Sequence, residues 1–203
     1  TFFELSFEND GIKTLSQDVT VLNNLNIRNG GNLDGGSATA FINGTWNNEI
    51  GESAFSENTG TVVFQGSVTQ DINCPSGERF HNITVNNTAT LAIDLEDETR
   101  VSGTLTMTDG ILRTQGNPFI LTSGSTISGG SFDSYVDGAI TKIGVVNDVE
   151  ITFPVGDYRD DLVPVRNVYQ PAGLVPASTN PTAEFLVEYF HDNYTPGFAY
   201  PHS

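Results

Sequence analysis

The sequence predicts an all-β fold and, within that class, a parallel β-helix (β-solenoid). Three observations carry the prediction. A short strand motif recurs along the chain, and internal recurrence at a period of about 20 residues is the mark of stacked repeats. Its pattern is apolar, any, apolar, polar, then Asn, Asp or Gly, and alternation at spacing two is that of a half-buried strand. The composition is poor in helix formers, with 21 Gly, 23 Thr and 19 Asn among 203 residues.

The motif appears as L-S-F-E-N at Leu5, L-N-I-R-N at Leu25, I-T-V-N-N at Ile83 and L-T-M-T-D at Leu105. Weaker copies are A-F-I-N-G at Ala40 and V-V-F-Q-G at Val62. The residue closing each copy tolerates a left-handed backbone and lets the chain turn a corner. Two or three such strands make one coil, and coils stack with each strand parallel to its equivalents. A larger echo places Phe2, Leu5 and Phe7 against Phe80, Ile83 and Val85 at an offset of 78. Val21, Leu25, Ile27 and Gly30 likewise match Val101, Leu105, Met107 and Gly110 at an offset of 80. Hairpin-type pairs at Asp10-Gly11, Asn29-Gly30 and Asp109-Gly110 keep an antiparallel sandwich as the competing fold. A sandwich, however, does not require one motif to recur at one period.

Residues 1–150 are therefore read as a β-helix of roughly 20-residue coils. The composition shifts near Phe153, since seven of the nine prolines lie at or after Pro154. Residues 151–203 are read as a β-rich C-terminal cap, or the start of a sandwich-like module, with a Pro-rich connector from Pro171 to Pro181. Solenoid ends need such a cover. In the run A-E-F-L-V-E-Y-F, the residues Ala183, Phe185, Val187 and Tyr189 share one strand face. The chain starts within a strand-like pattern and is therefore read as a mature or excised piece of something longer.

A formal net charge of −17, from 25 acidic and 8 basic side chains, excludes nucleic acid as a partner and argues against binding anionic lipid by a basic surface. No apolar run reaches the length of a membrane span, so direct membrane insertion is not expected. Thirteen Phe and six Tyr supply enough apolar surface for a core. The single Cys74 excludes an internal disulfide.

Several strings resemble a known group of proteins when taken together: T-V-V-F-Q-G-S-V-T-Q-D-I (61–72), F-H-N-I-T-V-N-N (80–87), V-S-G-T-L-T-M-T-D-G (101–110) and F-P-V-G-D followed by V-P-V-R (153–166). They are similar to the repetitive β-rich regions of large surface proteins secreted by Bacteroidetes, the group with gliding motility and type IX secretion. The resemblance implies extracellular or cell-surface display, an adhesive or stalk role, and the secretion machinery as a partner in transit.

The candidate sites are few. Asp157, Asp160 and Asp161 form a candidate calcium site, because Ca²⁺ takes clustered loop carboxylates. Arg159 among them argues for an ion pair instead, and no other cofactor is expected. Trp46, in F-I-N-G-T-W-N-N, is the candidate sugar-stacking residue; the competing reading is core filler. Cys74 lacks a fixed His base and is read as a structural thiol. The triplet Glu96-Asp97-Glu98 is read as a solvated corner. Thr104, Thr106 and Thr108 form an outward Thr row. Asn29, Asn86 and Asp109 are expected to stack as a corner ladder. No catalytic residue is assigned. The expected function is a non-enzymatic structural or adhesive segment of a secreted or surface protein, facing an extracellular surface or glycan ligand. The alternative is a carbohydrate-binding or polysaccharide-processing β-helix module, whose cleft would gather Trp46, Asp94 or Glu96 and Tyr189.

Overall fold

The computed structural model describes residues 1–159 and 165–190. It is a β-solenoid of about seven turns with parallel strands. Each coil visits three faces in turn. The first face carries Leu5–Phe7, Leu25–Ile27, Trp46–Asn48, Gln70–Asn73, the second halves of Asn82–Leu95 and Thr104–Arg113, then Val136–Asp137 and Val155–Arg159. The second carries Ile12–Thr14, Asn32–Asp34 and Phe55–Ser56, and farther on Glu78–Phe80, Thr99–Val101, Phe119–Leu121 and Ile140–Val145. The third carries Val19–Val21, Thr39–Ile42, Thr61–Gly66, the first halves of the two long strands, and Thr126–Gly129.

The third face keeps strict time. Val19 pairs with Ala40, Ala40 with Val62, Val62 with Ile83, Ile83 with Leu105, and Leu105 with Ile127. Each step spans 21 or 22 residues, as in the side-chain bonds Asn82 to Thr61 and Thr104 to Thr126 on the same face. The first face is looser. Leu5, Leu25, Trp46, Ile72 and Leu95 stack in one inward column. The step from Trp46 to Ile72 spans 26 residues, as does that from Asn47 to Asn73 beside it. The strand motif thus belongs to two faces. Its copies at Leu5 and Leu25 lie on the first, while those at Ala40, Val62, Ile83 and Leu105 belong to the third. The echo at offsets of 78 and 80 aligns residues one face apart, because the same apolar alternation serves every face.

The longest coil also breaks the second face into two ladders, between Phe55–Ser56 and Glu78–Phe80. A short 3₁₀ turn, Glu52–Ala54, takes up part of its extra length. Four large rings fill the interior there. Trp46 meets Phe55 and Phe80 edge-on at centroid distances of 4.8 and 5.1 Å, and Phe64 meets Phe80 at 6.2 Å. The rings come from all three faces, so the wider coil is filled rather than hollow. Above and below it the inward columns are mainly Leu, Ile and Val.

The corners are built by Asn and Gly. The side-chain carbonyls of Asn24 and Asn82 accept the backbone N–H of Thr45 and Thr104 in the next coil, at 2.9 Å each. Each Thr follows a glycine, Gly44 or Gly103, where a Cβ would lie within 2.5 Å of that Asn oxygen. Gly110 sits at φ +88, where the strand Thr104–Arg113 passes from the third face to the first. A Cβ there would strike Ala92 and the Asn87 carbonyl.

Pairing changes character at the C-terminal end. The last parallel pair joins Val136–Asp137 to Val155–Gly156. After it, Arg166–Tyr169 pairs antiparallel with Val155–Arg159, and Asn180–Val187 pairs antiparallel with Ile140–Val145. Ala172–Leu174 joins Ile151–Phe153 in the same sense. These strands cover the edges of the last coil, and Ala183, Phe185 and Val187 alternate with the more exposed Glu184 and Leu186.

Two substitutions test this account. Phe80→Ala should destabilise by roughly 3–5 kcal/mol, since three other rings lose a contact. Gly110→Ala should cost roughly 2–3 kcal/mol, from a positive φ and a filled corner. Denaturant titration of both variants reads each cost; a change under about 0.5 kcal/mol in either contradicts the packing described.

Candidate functional site

On the first face, inward residues alternate with outward ones, and the outward positions align into columns. Asp71 lies opposite Asp94, Asp94 opposite Arg113, and Arg113 opposite Asp137. The alternation fixes their direction, because Gln70, Ile72, Ile93, Leu95, Leu112 and Val136 beside them are all buried. Arg113 grips Asp94 with two nitrogens: Nε donates to Oδ1 at 2.6 Å and Nη2 to Oδ2. A two-point guanidinium–carboxylate pair holds both groups in one plane. A second column holds Ser6, Asn26, Asn47 and Asn73. Asn73 Nδ2 donates to Asn47 Oδ1 at 3.1 Å, Asn47 to Asn26 at 3.4 Å, and Asn26 to Ser6 at 3.4 Å.

The charged column ends at an open cleft of about 350 Å³ lined by Arg113, Thr114, Asn117, Asp137, Gly138 and Glu188. Burial, followed by the neighbouring charge of Asp157, pushes Asp137 up to about 6, while Arg113 pulls the other way. Burial also raises Glu188 from its ordinary value. A carboxyl poised near neutrality in a cleft, beside a cation, has the attributes of a general acid–base group. Two residues before Asp137, Tyr135 is fully buried, with its hydroxyl donating to Asn167 Oδ1 at 2.6 Å.

The candidates drawn from the sequence lie elsewhere. Trp46 is fully buried, ringed by Phe55 and Phe80, and offers no face to a sugar. The sugar-stacking assignment is therefore corrected: Trp46 shares the inward parity of Leu25 and Ile72. Trp46, Asp94, Glu96 and Tyr189 share no cleft. Asp94 is tied to Arg113, Glu96 is exposed, and Tyr189 packs on the core. Of the calcium candidates, Asp157 lies in the strand Val155–Arg159, while Asp160 and Asp161 fall outside the described residues. Among the described residues no three His, Cys, Asp or Glu side chains gather to hold a metal. The Asn ladder is also relocated. Asn86 does face Asp109, but Asn29 occupies a left-handed corner, and the stacked amides are Asn26, Asn47 and Asn73. The outward Thr row has more equivalents than the sequence shows: Thr84, Thr106 and Ser128 align, as do Thr61, Asn82, Thr104 and Thr126.

Buried polar groups escape sequence reasoning, Glu78 among them. Glu78 is 1% exposed and faces the aromatic cluster. Its Oε2 accepts from Trp46 Nε1 and Asn48 Nδ2, both at 2.9 Å, and its Oε1 accepts from the Arg79 backbone at 3.1 Å. Burial nonetheless outweighs these bonds and raises Glu78 to about 7. Alternation with Phe80 in the run E-R-F is the available signal. Cys74 is closed off beside it, with Sγ donating to the Gly77 carbonyl at 2.8 Å. Burial, then the nearby Glu78 charge, pushes its thiol up to about 12, which removes it as a nucleophile at neutral pH.

No family model, curated protein or solved structure matches the chain.

Two measurements probe these groups. Because the folded Glu78 titrates near 7 and an unfolded Glu near 4.5, the folded state holds its proton more tightly. Its contribution is fully present below about pH 4.5 and is lost as pH rises through 7, an effect of at most about 3 kcal/mol. Glu78→Gln should flatten the fall in stability between pH 5 and 8, as followed by denaturant titration; an unchanged slope counts against this assignment. Arg113→Met should move the Asp137 carboxyl titration above 6, as read by carbon NMR, because the cation that opposes its upward shift is removed.

Proposed function

We propose that this chain is a non-enzymatic structural or adhesive segment of a large secreted or cell-surface protein, displayed outside the cell and exported by the type IX system. The observation that supports it best is the ladder itself. Strands stay in parallel register through every coil of the third face, over a continuous apolar interior. Such an element resists bending and stretching, because extension must break several backbone hydrogen bonds together. Its outward columns of Thr, Asn and Asp give a regular polar surface for contact with extracellular material. The resemblance of residues 61–72, 80–87, 101–110 and 153–166 to Bacteroidetes surface proteins supports the location and the route.

A second reading, a carbohydrate-binding or polysaccharide-processing module, draws on one specific observation. Asp137, poised near pH 6, shares a cleft with Arg113 and Glu188.

Force spectroscopy and glycan assays separate the two. A spacer should unfold coil by coil, each coil releasing roughly 70 Å of chain. A collapse at low force with no periodic steps argues against the spacer. Retention on a glycan array, or depolymerisation of an acidic polysaccharide, with loss of either in Asp137→Asn, favours the second reading.

A further inference from the structure

A second recess, distinct from the Asp137 cleft, opens at the corner between the last two coils. It is about 390 Å³ and lies among residues 123–127, 144–146, 149–152, Thr179 and Pro181, with Lys142 in its wall. Lys142 occupies an inward position. It shares the parity of Ile140, lies opposite the fully buried Leu121, and is 3% exposed. Its ammonium donates to the Thr122 carbonyl at 3.0 Å and the Ile143 carbonyl at 2.8 Å, the residues directly before the two corners that frame the recess. Both acceptors are neutral. Among the described residues no carboxylate pairs with Lys142, whose hydrogen-bond partners are the two carbonyls. An ammonium carries three N–H donors, and two are engaged.

A cation enclosed in protein with no counter-charge is costly, and a bound anion offsets that cost. Burial alone pulls Lys142 below its ordinary range, in keeping with a charge that lacks compensation. The walls set the rest of the ligand. Ile127, Val145, Val149 and Ile151 give an apolar lining, and the Ser125 hydroxyl beside them is committed to the Thr122 carbonyl. The volume falls in the range of small-molecule sites. Glu150, exposed at the rim, disfavours a second negative charge.

We propose that this recess binds a small monocarboxylate with a short apolar body, its carboxylate on Lys142 and its chain against Ile127, Val145, Val149 and Ile151. The site is independent of the spacer role, so either can fail alone.

The test uses hexanoate as probe, with hexanol and adipate as controls, followed by amide NMR of the whole chain. Hexanoate should give saturable shifts confined to residues 122–127 and 142–152. Hexanol and adipate should each bind at least roughly tenfold more weakly, as should hexanoate to Lys142→Met. Lys142→Met keeps the side-chain length and removes a buried charge, so its fold should persist. Val149→Trp, which crowds the mouth from an exposed position, should weaken binding by a similar factor and serves if Lys142→Met does not fold. The proposal is overturned if hexanoate gives no saturable shift, if hexanol binds as tightly, or if both variants bind like the unaltered chain.

Discussion

Everything in this molecule depends on the parallel ladder staying in register while the chain between ladder positions varies. Each inward side chain must stack on its equivalent one strand spacing away, about 4.8 Å along the axis. A slip by one residue would turn apolar positions outward on a whole strand. The third face satisfies this constraint with a nearly constant step throughout. Length variation is absorbed elsewhere, chiefly between the first and second faces.

The longest coil shows how that absorption works. Its extra length widens the interior, and Trp46, Phe55, Phe64 and Phe80 occupy the width. Indole nitrogen brings a donor into that space, and Glu78 supplies its acceptor. The carboxyl is thus a consequence of packing a Trp, and its displaced titration is a consequence of the resulting burial. The same logic explains Gln70, whose amide donates to the Ile42 and Gly44 carbonyls and receives a bond from Asn87. Polar groups inside this solenoid sit where a corner or a wide coil leaves backbone groups to satisfy.

The solenoid is legible in the sequence because its strand motif survives in six copies and its corners use Asn and Gly. Which copies stack on which is not legible. The same alternation serves all three faces, so Leu5 matches Ile83 by pattern although Leu5 stacks on Leu25. Site residues are harder still. Trp46 resembles a platform because its neighbours are amides, yet its parity with Leu25 and Ile72 places it inside. Arg113 and Asp137 lie a full coil apart in sequence and meet only through the register of one face. Glu78 and Lys142 each carry a usable signal, an apolar partner two residues away, but a charged residue is ordinarily read as exposed.

The columnar geometry also has an electrical consequence. Residues 1–159 carry 20 acidic against 7 basic side chains. Seven coils at one strand spacing each span only about 34 Å. The rod therefore bears about one net negative charge per 2.6 Å of axis, within a factor of two of duplex DNA at about one per 1.7 Å. Its breadth makes the surrounding field more diffuse than that of DNA. At that linear density the molecule is a polyelectrolyte, and it carries a standing atmosphere of cations. Two such rods brought side by side repel one another, and that repulsion weakens as the ionic strength around them rises.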